Sequence, residues 1–384
     1  MKTRTLIFRL HLIAGLTAGL LLVLSGLTGS LLIFGDAIDE ALNPSLLRRP
    51  APSPTERSIT PAAAVEAARQ SLPAEERVAR VRLPRETEGV YEICPRAKGD
   101  PRCLYVDPYT ARVLGTRVPA ESFKGRVFAL HRRLLSGDTG EMIVGVGGLA
   151  LVVLSISGVY LWWPGRKRLR RGFKINFSAR GRRLQFDLHR VAGICAMGFL
   201  CLIGLTGAGM AFSPTSERLL NRITASPPRP PQPTSIPRPG VQPAALDLVL
   251  DNADKALPGA ETVMVNLPQT PTAPFVVRKR LPGEWHPNGR SIVYLDQYSG
   301  ATLQVRNALA APTGTRLLNS LYPLHTGHLA GMLTRLLHLF VGLAPLLLFS
   351  SGLLMWRARR VGARRVRRIE RSVGAQAQTG VAGG

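Results

Sequence analysis

Histidine is the residue type in this chain whose spacing most clearly indicates chemistry. Two of the seven histidines open apolar segments in the same way, Leu10-His11-Leu12-Ile13-Ala14-Gly15 and Leu188-His189-Arg190-Val191-Ala192-Gly193, and Gly-Leu-Thr-Gly recurs at 26–29 and 204–207 with the same offset of 178. A second set has an offset of 194 and matches His131, Gly137, Gly148 and Gly158 with His325, Gly331, Gly342 and Gly352. Fixed offsets indicate an internal duplication. Paired histidines on membrane helices indicate haem iron held by two imidazoles.

Four apolar segments are long enough to carry these histidines across about 30 Å of hydrocarbon as helices. They cover residues 10–34, 142–163, 188–212 and 336–356. The first follows a basic N-terminus, as a secretory signal would, but it is too long and lacks a small-x-small cleavage site, so we interpret it as a retained span. The sequence therefore predicts a membrane α-helical protein with four transmembrane helices from a two-fold duplication and two small α+β periplasmic units.

The net charge of +26 is concentrated in three places. Residues 166–183 carry nine Lys/Arg and no acid, residues 357–371 carry eight with only Glu370, and three more precede the first span. Short basic loops stay in the cytoplasm, which predicts a multi-pass protein of the bacterial inner membrane with both termini cytoplasmic. A smaller set of basic residues near the outer side runs against this assignment: Arg126, Arg132, Arg133 and Arg335. Anionic lipids account for the basic segments, and no nucleic-acid partner is expected.

The two outer segments repeat an order of one helix followed by short strands. The first has a helix at 61–68 and strands at 78–83, 89–94 and 103–106; the second has a helix opening at Pro243 and strands at 262–267, 275–279 and 291–295. Their closing turns, Tyr105-Val-Asp107-Pro-Tyr109 and Tyr294-Leu-Asp296-Gln-Tyr298, lie 189 residues apart. Each unit of about 60 residues has a marginal core, so we expect it to dock onto the spans or onto its twin.

These patterns divide the chain into nine parts. The parts are transmembrane helix 1 (1–36), periplasmic unit 1 (37–125), a juxtamembrane segment with helix 2 (126–164), a basic cytoplasmic loop (165–187), helix 3 (188–213), a Pro-rich linker (214–242), periplasmic unit 2 (243–315), a juxtamembrane segment with helix 4 (316–357), and a basic cytoplasmic tail (358–384).

His11 and His189 are the first candidate haem ligands. Both lie at the same depth on the same side of the membrane, where an imidazole without a partner would cost free energy. Gly15 and Gly193, one turn deeper on the same helix face, leave a flat surface that a porphyrin could cover.

His131 and His325 are the candidate outer pair. Each lies eleven residues before a span, so a straight helix would carry it about 16 Å above the boundary, unless Gly137 and Gly331 let the segment fold back. His338, three residues into the fourth span, is the alternative outer ligand, although it aligns with Val144. His328 aligns with Leu134 and is a weaker candidate.

Several other polar residues have open interpretations. Four arginines adjoin the candidate ligands, Arg9, Arg190, Arg132 and Arg133, and could pair with haem propionates or face solvent and lipid. Cys94 and Cys103 flank a turn-rich stretch and are a disulfide candidate in an oxidising periplasm. His286 is interpreted as a surface residue. Gly-rich phosphate loops, His-Glu-x-x-His and Gly-x-Ser-x-Gly are absent from the sequence.

The order of these motifs resembles the PepSY-associated transmembrane family. The resemblance covers about residues 5–360 and is carried by the opening Leu-His-Leu-Ile-Ala-Gly, Leu130-His131-Arg132, Asp187-Leu188-His189-Arg190 and Leu324-His325-Thr326-Gly327. Members include inner-membrane reductases for ferric siderophores. The resemblance implies haem b, two per chain, held by His11 with His189 and by His131 with His325, and PepSY-like outer units.

Three functions are therefore open. The first is an oxidoreductase, a ferric-siderophore reductase that passes electrons across the membrane to an iron chelate outside, with a protein, a reduced flavin or a quinol as the unidentified donor. The second is a non-enzymatic, membrane-tethered PepSY module that regulates periplasmic peptidases. The third is haem-based sensing or electron delivery to a protein partner.

Overall fold

The computed structural model describes residues 2–50, 53 and 56–381. The helices in this part of the chain are α1 (Lys2–Ile33), α2 (Gly35–Leu42), α3 (Pro44–Leu47), α4 (Pro61–Gln70), α5 (Phe123–Arg133), α6 (Gly137–Trp162), α7 (Leu169–Gly172), α8 (Arg182–Ala211), α9 (Ser213–Ile223), α10 (Leu246–Ala256), α11 (Thr313–Thr326) and α12 (Gly331–Val381). The strands are β1 (Val78–Arg82), β2 (Tyr91–Pro95), β3 (Cys103–Val106), β4 (Val113–Arg117), β5 (Glu261–Asn266), β6 (Phe275–Arg280), β7 (Ser291–Leu295) and β8 (Thr302–Arg306).

The chain forms two compact units. The helical unit comprises residues 1–30, 142–208 and 336–384, and the sheet unit comprises residues 31–141 and 209–335. Within the described residues, four helices are long and apolar enough to cross a membrane: Thr3–Ile33, Gly137–Trp162, Arg182–Ala211 and Gly331–Gly362. Each helix begins several residues before the apolar segment it contains, because backbone hydrogen bonding continues into polar flanking sequence that hydropathy does not mark.

Glycines allow close helix crossings at two corresponding places in the helical unit. On α6 and α8, a Cβ atom added to Gly148 would lie 2.9 Å from the Gly204 carbonyl oxygen, and one added to Gly204 would lie 2.7 Å from that of Gly148. On α1 and α12, Gly26 and Gly342 approach each other in the same way. Small residues let membrane helices pack backbone to backbone. Larger side chains at these positions would force the helices apart.

The sheet unit is built on one antiparallel sheet of eight strands in the order β4-β3-β2-β1-β5-β6-β7-β8. The predicted outer units meet where β1 pairs with β5, with Val81 opposite Val265. One apolar core runs beneath both halves and takes in Val249 of α10 and Ala64 of α4. Each of the two predicted outer units is too small to form a stable core by itself, and here the two share one larger core.

The element bounds differ from the sequence predictions in particular places. Strands β3 and β7 have the predicted bounds, whereas α10 begins at Leu246 rather than at Pro243. The Ala244 amide donates to the Gln297 carbonyl oxygen at 2.7 Å, which holds that segment outside the helix. Strands β4 and β8 were not predicted. Both are partly exposed edge strands, and the alternating apolar residues of β8, Leu303 and Val305, are exposed.

The two closing turns have matching hydrogen bonds. Asp107 accepts from the Tyr109 amide at 2.8 Å, and Asp296 accepts from the Tyr298 amide at 3.1 Å. Ala111 then has a φ of 58°, where the second turn has Gly300 at 70°. The left-handed conformation disfavours a side chain, so the first turn is the more strained of the two.

A disulfide links Cys94 to Cys103, with their Cα atoms 4.2 Å apart. It connects the neighbouring strands β2 and β3 on the sheet face away from the main core, next to Tyr105. The disulfide therefore lies apart from the main apolar core of the sheet unit.

The Asp39–Arg117 ion pair gives a stability prediction. Arg117 of β4 donates to both Asp39 carboxylate oxygens at 2.9 and 2.7 Å and to the Tyr105 hydroxyl at 3.0 Å, and Asp39 is only 4% exposed. Arg117→Leu leaves this buried carboxylate unpaired, so we expect the free energy of unfolding to fall by about 3 kcal/mol. Denaturant unfolding should register that loss, while Arg112→Leu, at an exposed site, should change little. Equal losses in the two variants would refute this role of the pair.

Candidate cofactor site

The helical unit brings His11 of α1 and His189 of α8 together. Their ring centroids are 6.4 Å apart, and the ring planes are inclined at 81°. An imidazole nitrogen bonds a metal at about 2.0 Å, and its ring centre lies about 1 Å further back, so two imidazoles on opposite faces of one haem iron have centroids about 6 Å apart. The separation of His11 and His189 fits that arrangement.

The second nitrogen of each ring is held by a serine on a neighbouring helix. His11 Nδ1 lies 2.8 Å from Ser157 Oγ of α6, and His189 Nδ1 lies 3.0 Å from Ser351 Oγ of α12. His189 Nδ1 is also 3.0 Å from the Leu348 carbonyl oxygen. Histidines that bind metals commonly donate their other N–H to such an oxygen.

The serine hydroxyls fix the tautomer of the two imidazoles. Ser157 Oγ donates to the Val153 carbonyl oxygen at 2.6 Å, and Ser351 Oγ donates to the Leu347 carbonyl oxygen at 2.7 Å. Because each hydroxyl proton is already used, the serine accepts from the ring, and Nδ1 carries the proton. Nε2 of each histidine then carries the lone pair that a metal requires.

Sequence reasoning missed Ser157 and Ser351, although a signal for them was present. The two serines differ by 194 residues, the same offset that relates His131 to His325. A search for polar residues that repeat at this offset inside the spans would have found them. The contact itself depends on how α1 packs against α6 and α8 against α12, which the sequence does not specify.

Glycines adjoin the inner histidines without being required by protein packing. A Cβ atom added to Gly158 would lie 3.5 Å from His11 Cε1, and one added to Gly352 would lie 3.6 Å from His189 Cε1. At Gly15 and Gly193 the added atom would meet a leucine at 3.8 and 3.6 Å. These are ordinary contact distances, so alanine would fit all four sites, and the predicted porphyrin face stays a prediction.

The sheet unit brings His131 of α5 and His325 of α11 together. Their ring centroids are 6.1 Å apart with planes inclined at 55°, again close to the spacing of two imidazoles on one haem iron. α5 ends at Arg133 and α11 at Thr326, and the helices that follow begin at Gly137 with a φ of 59° and at Gly331 with a φ of 63°. The breaks separate α5 and α11 from the spans that follow, as the fold-back alternative requires.

The two alternative outer ligands have other neighbours. His338 is 5% exposed in the helical unit, with its ring centroid 6.5 Å from that of Phe199. His328 Nδ1 lies 2.8 Å from Thr326 Oγ1, and its ring lies 6.3 Å from Tyr322. The contact geometry thus favours His325 as the partner of His131.

Three of the four arginines near the candidate ligands have acidic partners. Arg132 and Arg133 both pair with Glu141, at 2.9 and 3.0 Å, and Arg190 pairs with buried Asp187 at 3.0 Å. Within the part of the chain that the structure describes, Arg9 has no ion pair. A haem propionate would have to compete with an existing ion pair at three of these four arginines.

His286 is not the surface residue that its sequence context predicted. It is 6% exposed, and its ring lies 4.6 Å from that of Tyr322. Burial and, after it, the charges of Arg290 and Arg278 lower the pKa of His286 to about 3, so the ring is neutral at physiological pH. Its Nδ1 accepts from the Asn288 amide at 3.1 Å.

Four apolar helices, an antiparallel sheet domain and two histidine pairs define a class of polytopic membrane protein. Residues 8–359 match the PepSY-associated TM region family, and the chain belongs to that family. An uncharacterized protein of Pseudomonas aeruginosa is 29% identical to it over 268 residues, which cover 63% of this chain and 66% of that relative. The match thus spans just under two thirds of the relative's length.

Proposed function

We propose that this membrane protein is a haem-b-containing oxidoreductase that passes electrons across the bacterial inner membrane and reduces a ferric-siderophore-type chelate outside it. The observation that carries the proposal is the serine-held inner pair, in which the rings of His11 and His189 lie at the spacing for one haem iron and each Nδ1 contacts a serine hydroxyl. The second pair, His131 and His325, has nearly the same spacing.

The residues of the chain hold and orient the cofactor. Ser157 and Ser351 keep Nδ1 of the inner histidines protonated and fix each ring against rotation. Haem bound at these pairs would supply one-electron chemistry.

Reduction would release the iron because of its coordination chemistry. Siderophores built from hard oxygen donors suit Fe(III) far better than the larger, softer Fe(II). Each Fe(III) takes up one electron and becomes Fe(II), and the electron comes from a quinol, a reduced flavin or a protein on the cytoplasmic side. The chelate is the substrate, and weaker binding of Fe(II) frees the metal.

The orientation and origin of the chain belong to the same proposal. The basic loop at 165–187 and the basic tail are assigned to the cytoplasm, facing anionic lipids, and the sheet unit to the periplasm. The mirror-like strand order and the two glycine crossings support a two-fold duplication with a PepSY-like unit in each half.

Anaerobic mixing tests the proposed reaction directly. The purified protein, reduced with dithionite and freed of excess reductant, should be reoxidised by a ferric hydroxamate chelate, with one Fe(II) captured by ferrozine per haem reoxidised. The gallium chelate, which cannot accept the electron, serves as the control. Reduced protein that stays reduced with the ferric chelate would argue against this substrate class.

The two serines give a further prediction. Ser157→Ala or Ser351→Ala removes the acceptor of a ligand N–H, so we expect haem affinity to fall about 10–100-fold and the midpoint potential of the inner haem to move. Haem-transfer assays and redox titration measure the two effects. Ser155→Ala is the matched control, because that hydroxyl on the same helix bonds the Leu151 carbonyl oxygen of its own helix. Equal effects at 155 and 157 would refute the ligand-orienting role.

A further inference from the structure

Two arginines share one face of the sheet, opposite the face that packs on α4 and α10, and a third lies beside them. Arg82 lies opposite Met264, and Met264 lies opposite Arg278, so the two arginines are two strands apart on the same side. Arg278 lies opposite Ile292 of β7, and Arg290 immediately precedes that strand and interacts electrostatically with Arg278. We call Arg82, Arg278 and Arg290 the basic face.

The charges of the basic face are only partly offset within the chain. Among the described residues none of the three arginines has a carboxylate within ion-pair distance, and the Nε atoms of Arg82 and Arg290 are buried without a hydrogen-bond partner. Burial first, and then the charge of Arg82, lowers the pKa of Arg278. Burial, and then Arg278, lowers the pKa of Arg290. Unpaired, half-buried guanidinium groups are costly and call for an anionic partner.

The carboxylates near the basic face are engaged elsewhere. Glu284 accepts from the Leu281 and Arg290 backbone amides at 3.0 and 2.5 Å and from the Ser291 hydroxyl at 2.6 Å. Asp36 is bonded by Lys124. Glu284 offsets part of the charge of Arg290, and the remaining positive charge of the basic face is available to a bound anion.

Neutral rings lie next to these charges. The stack of His286, Tyr322 and His328 adjoins Arg290, with centroid separations of 4.6 and 6.3 Å along it. Because His286 is neutral, it adds hydrogen-bonding capacity without further positive charge. The charges of Arg290 and Arg82 also act on Tyr322, which ties the stack to the basic face.

We propose that the basic face binds a multiply charged carboxylate ligand. Guanidinium groups recognise carboxylates through paired, charge-assisted hydrogen bonds, and three of them on one surface favour a ligand with several carboxylates. The identity of this ligand rests on the proposed function. Its carboxylates belong either to an iron chelate or to the propionates of a haem held by His325. His325 lies on the same helix as Tyr322. The binding itself requires no redox activity.

Calorimetry with gallium(III) citrate, a redox-inert polyanion, tests the site in the full-length protein. We expect wild type to bind it, and Arg278→Gln or Arg290→Gln to weaken binding about tenfold or more. Arg69→Gln, on the exposed surface of α4, should leave binding unchanged. A neutral gallium hydroxamate should bind all variants alike.

Unfolding of the same variants without ligand separates a binding role from a structural one. Removing one of several unpaired like charges should raise the midpoint of thermal unfolding, so the Gln variants should be more stable and bind more weakly. If the arginine only supports the fold, its Gln variant should unfold at a lower temperature than wild type, and that result would overturn the proposal.

The haem content of the variants identifies the source of the carboxylates. If the arginine variants lose haem and the wild-type protein does not bind citrate, the site holds haem propionates. If the arginine variants lose citrate binding but keep their full haem content, the site holds the chelate. Wild type that does not bind citrate, together with variants that keep their haem, overturns the proposal. A colourless protein that still binds citrate through Arg278 would overturn the redox function and leave the carboxylate site standing.

Discussion

Replacing His189 with alanine is expected to halve the haem content of the purified protein. The variant keeps His131 and His325 but loses one imidazole of the inner pair, whose ring centroids are 6.4 Å apart. A single remaining ligand, His11, cannot hold a six-coordinate, low-spin iron on both faces. A pyridine haemochrome assay on wild type and variant should show the ratio fall from two haems per chain to one.

Two comparisons make the His189 result specific. Cys195→Ala, six residues along the same helix, should keep both haems, since Cys195 is exposed. His189→Gly prepared with free imidazole should recover the inner haem spectrum, because the added imidazole can take the vacated position. Unchanged haem content in His189→Ala would remove this residue from the set of ligands.

Replacing His325 with alanine is expected to abolish chelate reduction while leaving the inner haem in place. In the proposed function, His131 and His325, whose ring centroids are 6.1 Å apart, hold the outer haem, and the electron path to the chelate would end there. The variant should show one haem that is still reduced by the donor and an Fe(II) yield at the background level. Stopped-flow absorbance and ferrozine capture measure the two quantities.

His338→Ala is the matched control for His325→Ala. His338 is buried beside Phe199, so its loss should reduce stability without removing a haem. If His338→Ala loses the outer haem and His325→Ala keeps it, the pairing of His131 with His325 is wrong, and the alternative ligand assignment in the fourth span is right.

The proximity of the paired histidines could be predicted because the sequence repeats their motifs at constant offsets. The two offsets, 178 and 194, relate all four histidines, so knowledge of one half constrains the other. The four membrane helices could also be predicted, because a run of apolar residues long enough to cross a bilayer has few other interpretations. Periodicity likewise located six of the eight strands.

Other parts depend on packing between segments distant in sequence. The β1–β5 pairing that joins two predicted units into one sheet involves residues more than 180 positions apart, and neither strand carries a signal for its partner. His286 reads as a surface residue in Glu284-Trp285-His286-Pro287, yet Tyr322 covers it. The basic face was missed because Arg82, Arg278 and Arg290 lie on three separated segments that only the sheet brings together.

Haem analysis of the wild-type protein tests the central claim most directly. The protein would be purified in detergent from cells supplied with haem, then characterised by oxidised and dithionite-reduced absorption spectra, a haemochrome count per chain and low-temperature electron paramagnetic resonance. We predict two low-spin haems b, one of them with the strongly anisotropic ferric signal that near-perpendicular imidazoles produce, since the planes of His11 and His189 are inclined at 81°. A colourless protein would contradict the account and favour a membrane-tethered PepSY module that regulates peptidases.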